Sequence, residues 1–289
     1  MLEAYKKWTE ESGSAEIVKS WPKPPPEFNN EVECANPILV SEQHLISMFL
    51  KHEYPKILGY RTDVTYPSPA IHDNFHNVEW NPHKLRSCKK GSWINDEIVN
   101  SGILSAITFA ESSLGELVLF LRLGFFDSSN QVDKKMKYMK NWKIDWASKI
   151  NSLLIPINHN NTHWTLMVVY PRLRRILHFD SIKSNNSIPD EKMVKFLLDC
   201  FEAAANMYSW EYDSKSEWTV GGIEKVPHQS DSNSCGIRVL LNCELVIWKL
   251  PLTLQAYDEQ FVNKVWQYIG VAIVRKKHWL TGQPSLRTT

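Results

Sequence analysis

Neither sign of charge is in surplus: 33 Lys and Arg stand against 32 Asp and Glu, a formal net charge of +1. Binding driven by phosphate neutralisation needs a basic excess, so a bulk-charge nucleic-acid binder is excluded. Cysteine is sparse. The five residues Cys34, Cys88, Cys200, Cys235 and Cys243 are odd in number and irregularly spaced, and none forms a Cys-x-x-Cys. Neither a disulfide framework nor a zinc-ligand pattern is expected, and no metal or cofactor is called for. The chain has no apolar run long enough to span a bilayer, and its first residues mix acid and lysine, so neither a membrane span nor a signal peptide is expected. Nor is there an internal repeat. These absences point to a reducing compartment, nucleus or cytoplasm, with no membrane or nucleic-acid partner, and a monomer is expected.

What is present is a large core. Hydrophobic residues make up 43% of the 289, aromatics 11%, and Trp occurs 12 times. The chain divides in two. Residues 1–75 read as an extension, with short helical stretches at Leu2–Glu11 and Ser41–Lys51, a stiff proline linker from Trp21 to Pro26 and a break at Tyr66-Pro67-Ser68-Pro69. His72 and His76 lie four apart there, a spacing that suits surface residues better than a metal site. Residues 76–289 read as the main domain.

In the main domain Asn95 is placed to cap a helix whose first turn carries Asp96 and Glu97. The stretches Ser152–Ile157, Trp164–Tyr170 and Arg175–Phe179 read as buried strands. The spacing of Met193, Phe196, Leu197, Cys200, Phe201 and Ala204 is helical, which makes Cys200 a core residue. Cys235–Leu250 is apolar apart from Arg238, Asn242, Glu244 and Lys249, as expected of a deeply buried helix. Cys243 along it is taken as structural. A last helix is expected within Asp258–Val274. The cluster Lys134, Lys135 and Lys137 reads as a solvated face.

Two segments could carry chemistry. A turn centred on Pro171-Arg172 pairs Tyr170 with Leu173 and sets His163 opposite Asp180. Opposed residues have Cβ atoms about 4.5–5.5 Å apart, within reach of an imidazole-to-carboxylate hydrogen bond. Only an even-length connection keeps the two together. Such a pair suits a general base and its orienting acid, although taken alone it is more simply an ordinary hairpin ending in a polar pair. The second segment is Ser232-Asn233-Ser234-Cys235-Gly236. Its small polar residues suit a helix start, which puts the Cys235 thiol at the positive end of a helix dipole. Gly236 is expected to leave room for a substrate, and Gln229 to offer amide donors to an oxyanion. A buried core thiol at a helix start stays open as the other reading.

Three blocks then occur in a telling order: Trp93-Ile94-Asn95-Asp96; His163-Trp164-Thr165-Leu166 with Phe179-Asp180-Ser181; and Gln229 followed by Cys235-Gly236. Together they resemble the SUMO-protease family of cysteine proteases, the sentrin-specific proteases and their deneddylating and viral relatives, over roughly Leu85 to the C-terminus. The resemblance implies a papain-like α+β fold, with a central mixed sheet carrying His and Asp and a buried helix presenting Cys. It implies a thiol protease that cleaves after the C-terminal Gly-Gly of a ubiquitin-like modifier, SUMO first, in precursors or conjugates. In that scheme Cys235 is nucleophile, His163 base, Asp180 orienting acid and Gln229 oxyanion donor. Trp93 and Trp164 close over the tail, and Asp96 meets a basic residue of the modifier. The chain departs from the family at Ser234, where Asp is usual, and at Ile94, where Leu is usual. His159, His178 and His228 are competing imidazoles off the motif positions. The run Asp180–Asn186 resembles deneddylating members. A deneddylase or deubiquitinase, a viral-type polyprotein protease, an acetyltransferase with the same triad and a silent modifier-binding module are the alternatives.

Overall fold

The computed structural model describes residues 71–73, 78–80, 86–88, 91–114, 117–122, 125–126, 131–139, 150–182, 189–210, 212, 217–222, 226–248 and 257–274. The expected helices at 2–11 and 41–51, the proline linker, the break at 66–69, His76 and Cys34 lie outside them. Strands β1 (Ile71–Asp73) and β2 (Val78–Trp80) pair antiparallel, across the point where the extension was expected to end.

The sheet that matters for the site has five strands, in the order β3 (Leu117–Phe120), β4 (Ile150–His159), β5 (His163–Tyr170), β6 (Arg175–Phe179) and β7 (Thr219–Gly222). β4, β5 and β6 are joined antiparallel, while β3 runs parallel to β4 and β7 parallel to β6. The sheet is therefore mixed, as expected. Its central strands are apolar at nearly every position because both faces are covered. Leu154, Trp164, Leu166, Val168, Leu177 and Phe179 pack on one side, with α1 (Asp96–Leu114), α4 (Cys235–Ile247) and α5 (Glu259–Val274). Leu153, Ile155, Met167, Val169 and Ile176 point to the other, where α2 (Val132–Lys135) and α3 (Glu191–Tyr208) lie. The alternation is the period of two that a strand imposes.

α1 begins where Asn95 predicts. Its Oδ1 accepts from the Ile98 N–H at 2.9 Å, and Asp96 and Glu97 fill the first turn. α3 is capped by Asp190, whose Oδ1 accepts from the Lys192 N–H at 2.8 Å, and it buries Cys200 as its spacing requires. All thirteen residues of α4 are buried. The polar side chains on it are partnered: Arg238 with Glu259, Asn242 with the Tyr257 hydroxyl, and Glu244 with the Trp248 indole N–H. A buried polar group without a partner would be strongly destabilising, so these pairs explain how α4 tolerates them.

One expectation is corrected here. Lys135 is not on a solvated face but buried, close enough for its charge to bear on Cys200.

Candidate active site

The site forms at the end of the sheet where β5 begins and β6 ends. Two turns set this geometry. Between β4 and β5, Asn160 and Asn161 both adopt positive φ, 52° and 58°. Asn tolerates the left-handed region better than most residues. The Asn158 Oδ1 accepts from the Asn161 N–H at 2.8 Å, and the Thr162 N–H reaches the His159 carbonyl at 2.9 Å. This tight turn makes His163 the first residue of β5, directly opposite His159. The second turn corrects the expected register. Pro171–Leu173 forms a short 3-10 turn, and Arg174 follows at φ 48°. Tyr170 then pairs with Arg175 rather than with Leu173, and Leu166 with Phe179. Asp180 is thus a diagonal neighbour of His163 instead of its direct partner. The shift is by two residues, which preserves the face each side chain points to. A diagonal pair remains within reach of long side chains, and His163 Nε2 lies 2.7 Å from Asp180 Oδ1.

The protonation follows from the partners. Asp180 is held below the usual carboxylate range: burial alone would raise it, but the bonds from His163 and from the Ile182 N–H at 2.8 Å outweigh that. An ionised carboxylate can only accept, so Nε2 carries the hydrogen. Nδ1 is then left for the thiol. It is buried and has no hydrogen-bond partner of ordinary geometry, and Cys235 is the second group that favours a protonated ring. Burial opposes that charge, yet Asp180 and Cys235 together lift His163 to about 9. His159 behaves oppositely. Its burial and the neighbouring His163 charge lower it, its Nε2 is tied to Thr165 Oγ1 at 2.8 Å, and its ring stacks 6.1 Å from that of His163.

Cys235 is the first residue of α4, as expected. The helix start is organised differently from the expectation, however. Ser234 occupies the cap position but makes no capping bond; its Oγ accepts from Arg238 Nε at 3.1 Å. Asp231 does the organising instead, its Oδ1 accepting from the N–H groups of Asn233 and Ser234 at 3.1 and 2.9 Å. Gly236 is also corrected. A Cβ there would lie 2.4 Å from Ile94 Cγ1 and 3.3 Å from Trp164 Cδ1. The space a side chain would need is filled by the protein's own packing, not kept for substrate.

Gln229 is fixed at both ends. Its Nε2 donates to the Asp231 carbonyl at 2.8 Å, and its Oε1 accepts from the Ser181 hydroxyl at 2.7 Å. A primary amide has two hydrogens, so one remains available. The loop that carries it is held by Arg238, whose buried guanidinium reaches the Pro227 carbonyl at 3.2 Å and pairs with Glu259, which also accepts from Ser230. Ser181 and Glu259 carry no local signal of this role, since the Ser181–Gln229, Ser230–Glu259 and Arg238–Glu259 contacts join segments far apart in sequence; Asp231 acts within its own turn, and sequence reasoning missed it.

Trp93 and Trp164 occupy different environments. Trp164 is 3% exposed and sits in the core beneath the start of α4, while Trp93 is 40% exposed. Asp96 is exposed on the first turn of α1; partial desolvation and the neighbouring Glu97 raise its pKa. The remaining described thiols are inert by environment. Burial pushes Cys88 and Cys200 up to about 12 and Cys243 well above its ordinary value.

Residues 125–278 match the Ulp1 protease family, C-terminal catalytic domain. Among curated proteins, the chain is 23% identical over 182 residues to the ubiquitin-like-specific protease ESD4 of Arabidopsis thaliana, covering 59% of this chain and 35% of that protein. It is 27% identical over 181 residues to sentrin-specific protease 5 of Mus musculus, covering 60% and 22%. The match thus spans only about a third or less of these relatives' own length. Two solved structures are similar in fold. The Ulp1-like SUMO protease catalytic domain of Chaetomium thermophilum has a TM-score of 0.58 at 15% identity, covering 82% of this chain and 89% of that one. The C-terminal Ulp1 protease domain solved with SMT3, the yeast ortholog of SUMO, has a TM-score of 0.54 at 17% identity, covering 83% and 96%. The matched segment holds His163, Asp180, Gln229 and Cys235 together, and this chain belongs to the Ulp1 protease family through its C-terminal catalytic domain.

Proposed function

We propose that the chain is a thiol protease and isopeptidase that cleaves after the C-terminal Gly-Gly of a SUMO-type ubiquitin-like modifier, with residues 76–289 as its catalytic unit. The observation that carries this is the His163 ring: Nε2–H is locked on Asp180, and Nδ1 is left for a thiol at the start of a buried helix. The names of the relatives supply the substrate class. A reducing compartment, nucleus or cytoplasm, is where such a thiol stays competent.

The reaction divides into two acyl transfers. With its proton already resting on His163 Nδ1, Cys235 Sγ attacks the carbonyl carbon of the terminal glycine. Negative charge collects on the former carbonyl oxygen, where the free Gln229 Nε2–H and the Cys235 N–H donate to it. The intermediate collapses, the C–N bond breaks, and His163 hands its proton to the departing amine. A thioester remains on Cys235. Water then attacks it, losing one proton to His163, the thiol leaves with that proton, and the modifier's carboxylic acid gives its own proton to solvent on release. Asp180 keeps the ring in the required tautomer throughout.

The test is a set of SUMO, ubiquitin and neddylation-modifier probes, each with a thiol-reactive group in place of the terminal carboxylate. The SUMO probe is expected to form a covalent adduct with the full chain and none with Cys235→Ala. An adduct that survives Cys235→Ala overturns the nucleophile, and labelling by another modifier alone overturns the substrate class.

A further inference from the structure

We propose that Ser181 is a positioning residue for the reaction: it presets the Gln229 carboxamide as an oxyanion donor. The inference rests on the reading of Gln229 given above. Gln229 lies on a loop and not on a helix or strand, and its side chain has several rotors. A donor of this kind contributes to catalysis only if it is oriented before charge develops. Two partners orient it. The Asp231 carbonyl can only accept, so it selects the end of the amide that carries hydrogens. Ser181 supplies the opposite restraint, its hydroxyl donating to Oε1 at 2.7 Å. The same serine also accepts from the Gln229 backbone N–H at 2.9 Å, so both the main chain and the side-chain tip of Gln229 are held by one residue. Ser181 is itself buried.

The placement has a consequence for the whole site. Ser181 directly follows Asp180, at the end of β6. Asp180 fixes the base, and its neighbour fixes the oxyanion donor. Two groups contributed by segments far apart in sequence, His163 and Gln229, are therefore set against the same two consecutive residues. Losing the Ser181 hydroxyl leaves the amide held only at its Nε2 end, by the Asp231 carbonyl. Losing one ordinary hydrogen bond then reduces the oriented fraction by roughly tenfold.

The experiment compares the full chain with Ser181→Ala, Ser181→Thr, Gln229→Ala and the double variant Ser181→Ala/Gln229→Ala. Two reactions are followed: hydrolysis of a modifier carrying a C-terminal aminocoumarin amide, and alkylation of Cys235 by iodoacetamide. Alkylation forms no oxyanion. Ser181→Ala should lose roughly tenfold in kcat with KM nearly unchanged, and its alkylation rate should match the parent. Ser181→Thr should restore hydrolysis. The double variant should be no slower than Gln229→Ala, because a positioning residue has nothing left to position. An equal loss of hydrolysis and alkylation in Ser181→Ala, or additive losses in the double variant, overturns the inference. Parental hydrolysis in Ser181→Ala alongside an impaired Gln229→Ala overturns it too, and leaves the oxyanion reading standing. Parental hydrolysis in Gln229→Ala overturns both.

Discussion

At the scale of single residues, the His163–Asp180 pair decides the pH behaviour. The ring holds its proton up to about 9 because Asp180 and Cys235 outweigh its burial. Amide cleavage needs that proton for the leaving amine, whereas alkylation of the thiol does not. The rate kcat/KM is therefore expected to fall as pH rises through about 9, while iodoacetamide labelling does not fall with it. Asp180→Asn removes one of the groups that raise the ring, so the alkaline limb should move to lower pH. A limb that stays in place in Asp180→Asn would show that Asp180 does not set the protonation of the base. The pair also links stability to pH. A base raised above its unfolded value, about 6.5, stabilises fully below that value and loses the contribution as pH rises through about 9. The depressed Asp180 contributes above its unfolded value of about 3.9 and loses its contribution as pH falls through its lower folded value. The pair thus stabilises the fold most between about pH 4 and 6.5.

Among the elements, the start of α4 is the most tightly constrained. Two effects compete at Gly236. Ala is the better helix former, by up to about 1 kcal/mol. Against that, the new Cβ would meet Ile94 Cγ1 at 2.4 Å, a methylene attached directly to the branched Cβ, which cannot simply swing away. Overpacking of this kind costs about 1–3 kcal/mol, so it outweighs the helix gain. Gly236→Ala should lower the urea midpoint and slow both hydrolysis and alkylation, since Cys235 precedes it directly. A variant as stable and as fast as the parent would mean that Ile94 yields freely and does not locate the thiol. The role of Gly236 also marks where reading the sequence stops. Continuous apolar runs revealed β4, β5, β6 and α4, because a sheet covered on both faces and a fully buried helix both need them. Asn95 revealed the start of α1, because a cap acts within its own turn. The Pro171–Arg174 connection did not reveal its register, since several turn types suit the same residues and differ by two in pairing. Ser181, Arg238 and Glu259 stayed silent because their partners are far away in sequence, and only the fold brings them together.

For the molecule as a whole, the proposed Gly-Gly tail would have to meet two unlike tryptophans. Trp164 is part of the core, packed against the start of α4, and Trp93 stands at the surface just before α1. Their variants should separate accordingly. Trp164→Ala opens a cavity and should destabilise by about 3–5 kcal/mol, with activity lost as the thiol shifts. Trp93→Ala removes an indole that is 40% exposed, so it should destabilise less than Trp164→Ala and act chiefly on substrate. If an indole at 93 covers the tail, the residue before the terminal glycine has to be bare backbone. A methyl group there would hold the scissile carbonyl away from Cys235, and misplacement on that scale costs about 10²-fold. A modifier ending Gly-Gly should therefore be cut, and the same modifier ending Ala-Gly should be nearly inert. In Trp93→Ala the two tails should converge, chiefly because the Gly-Gly substrate slows. The measurement is kcat/KM for both tails on both proteins, with the unfolding midpoint of each. Equal rates on the two tails in the parent protein would remove the covered tail, and with it the main reason to prefer a Gly-Gly modifier over a broader polypeptide substrate.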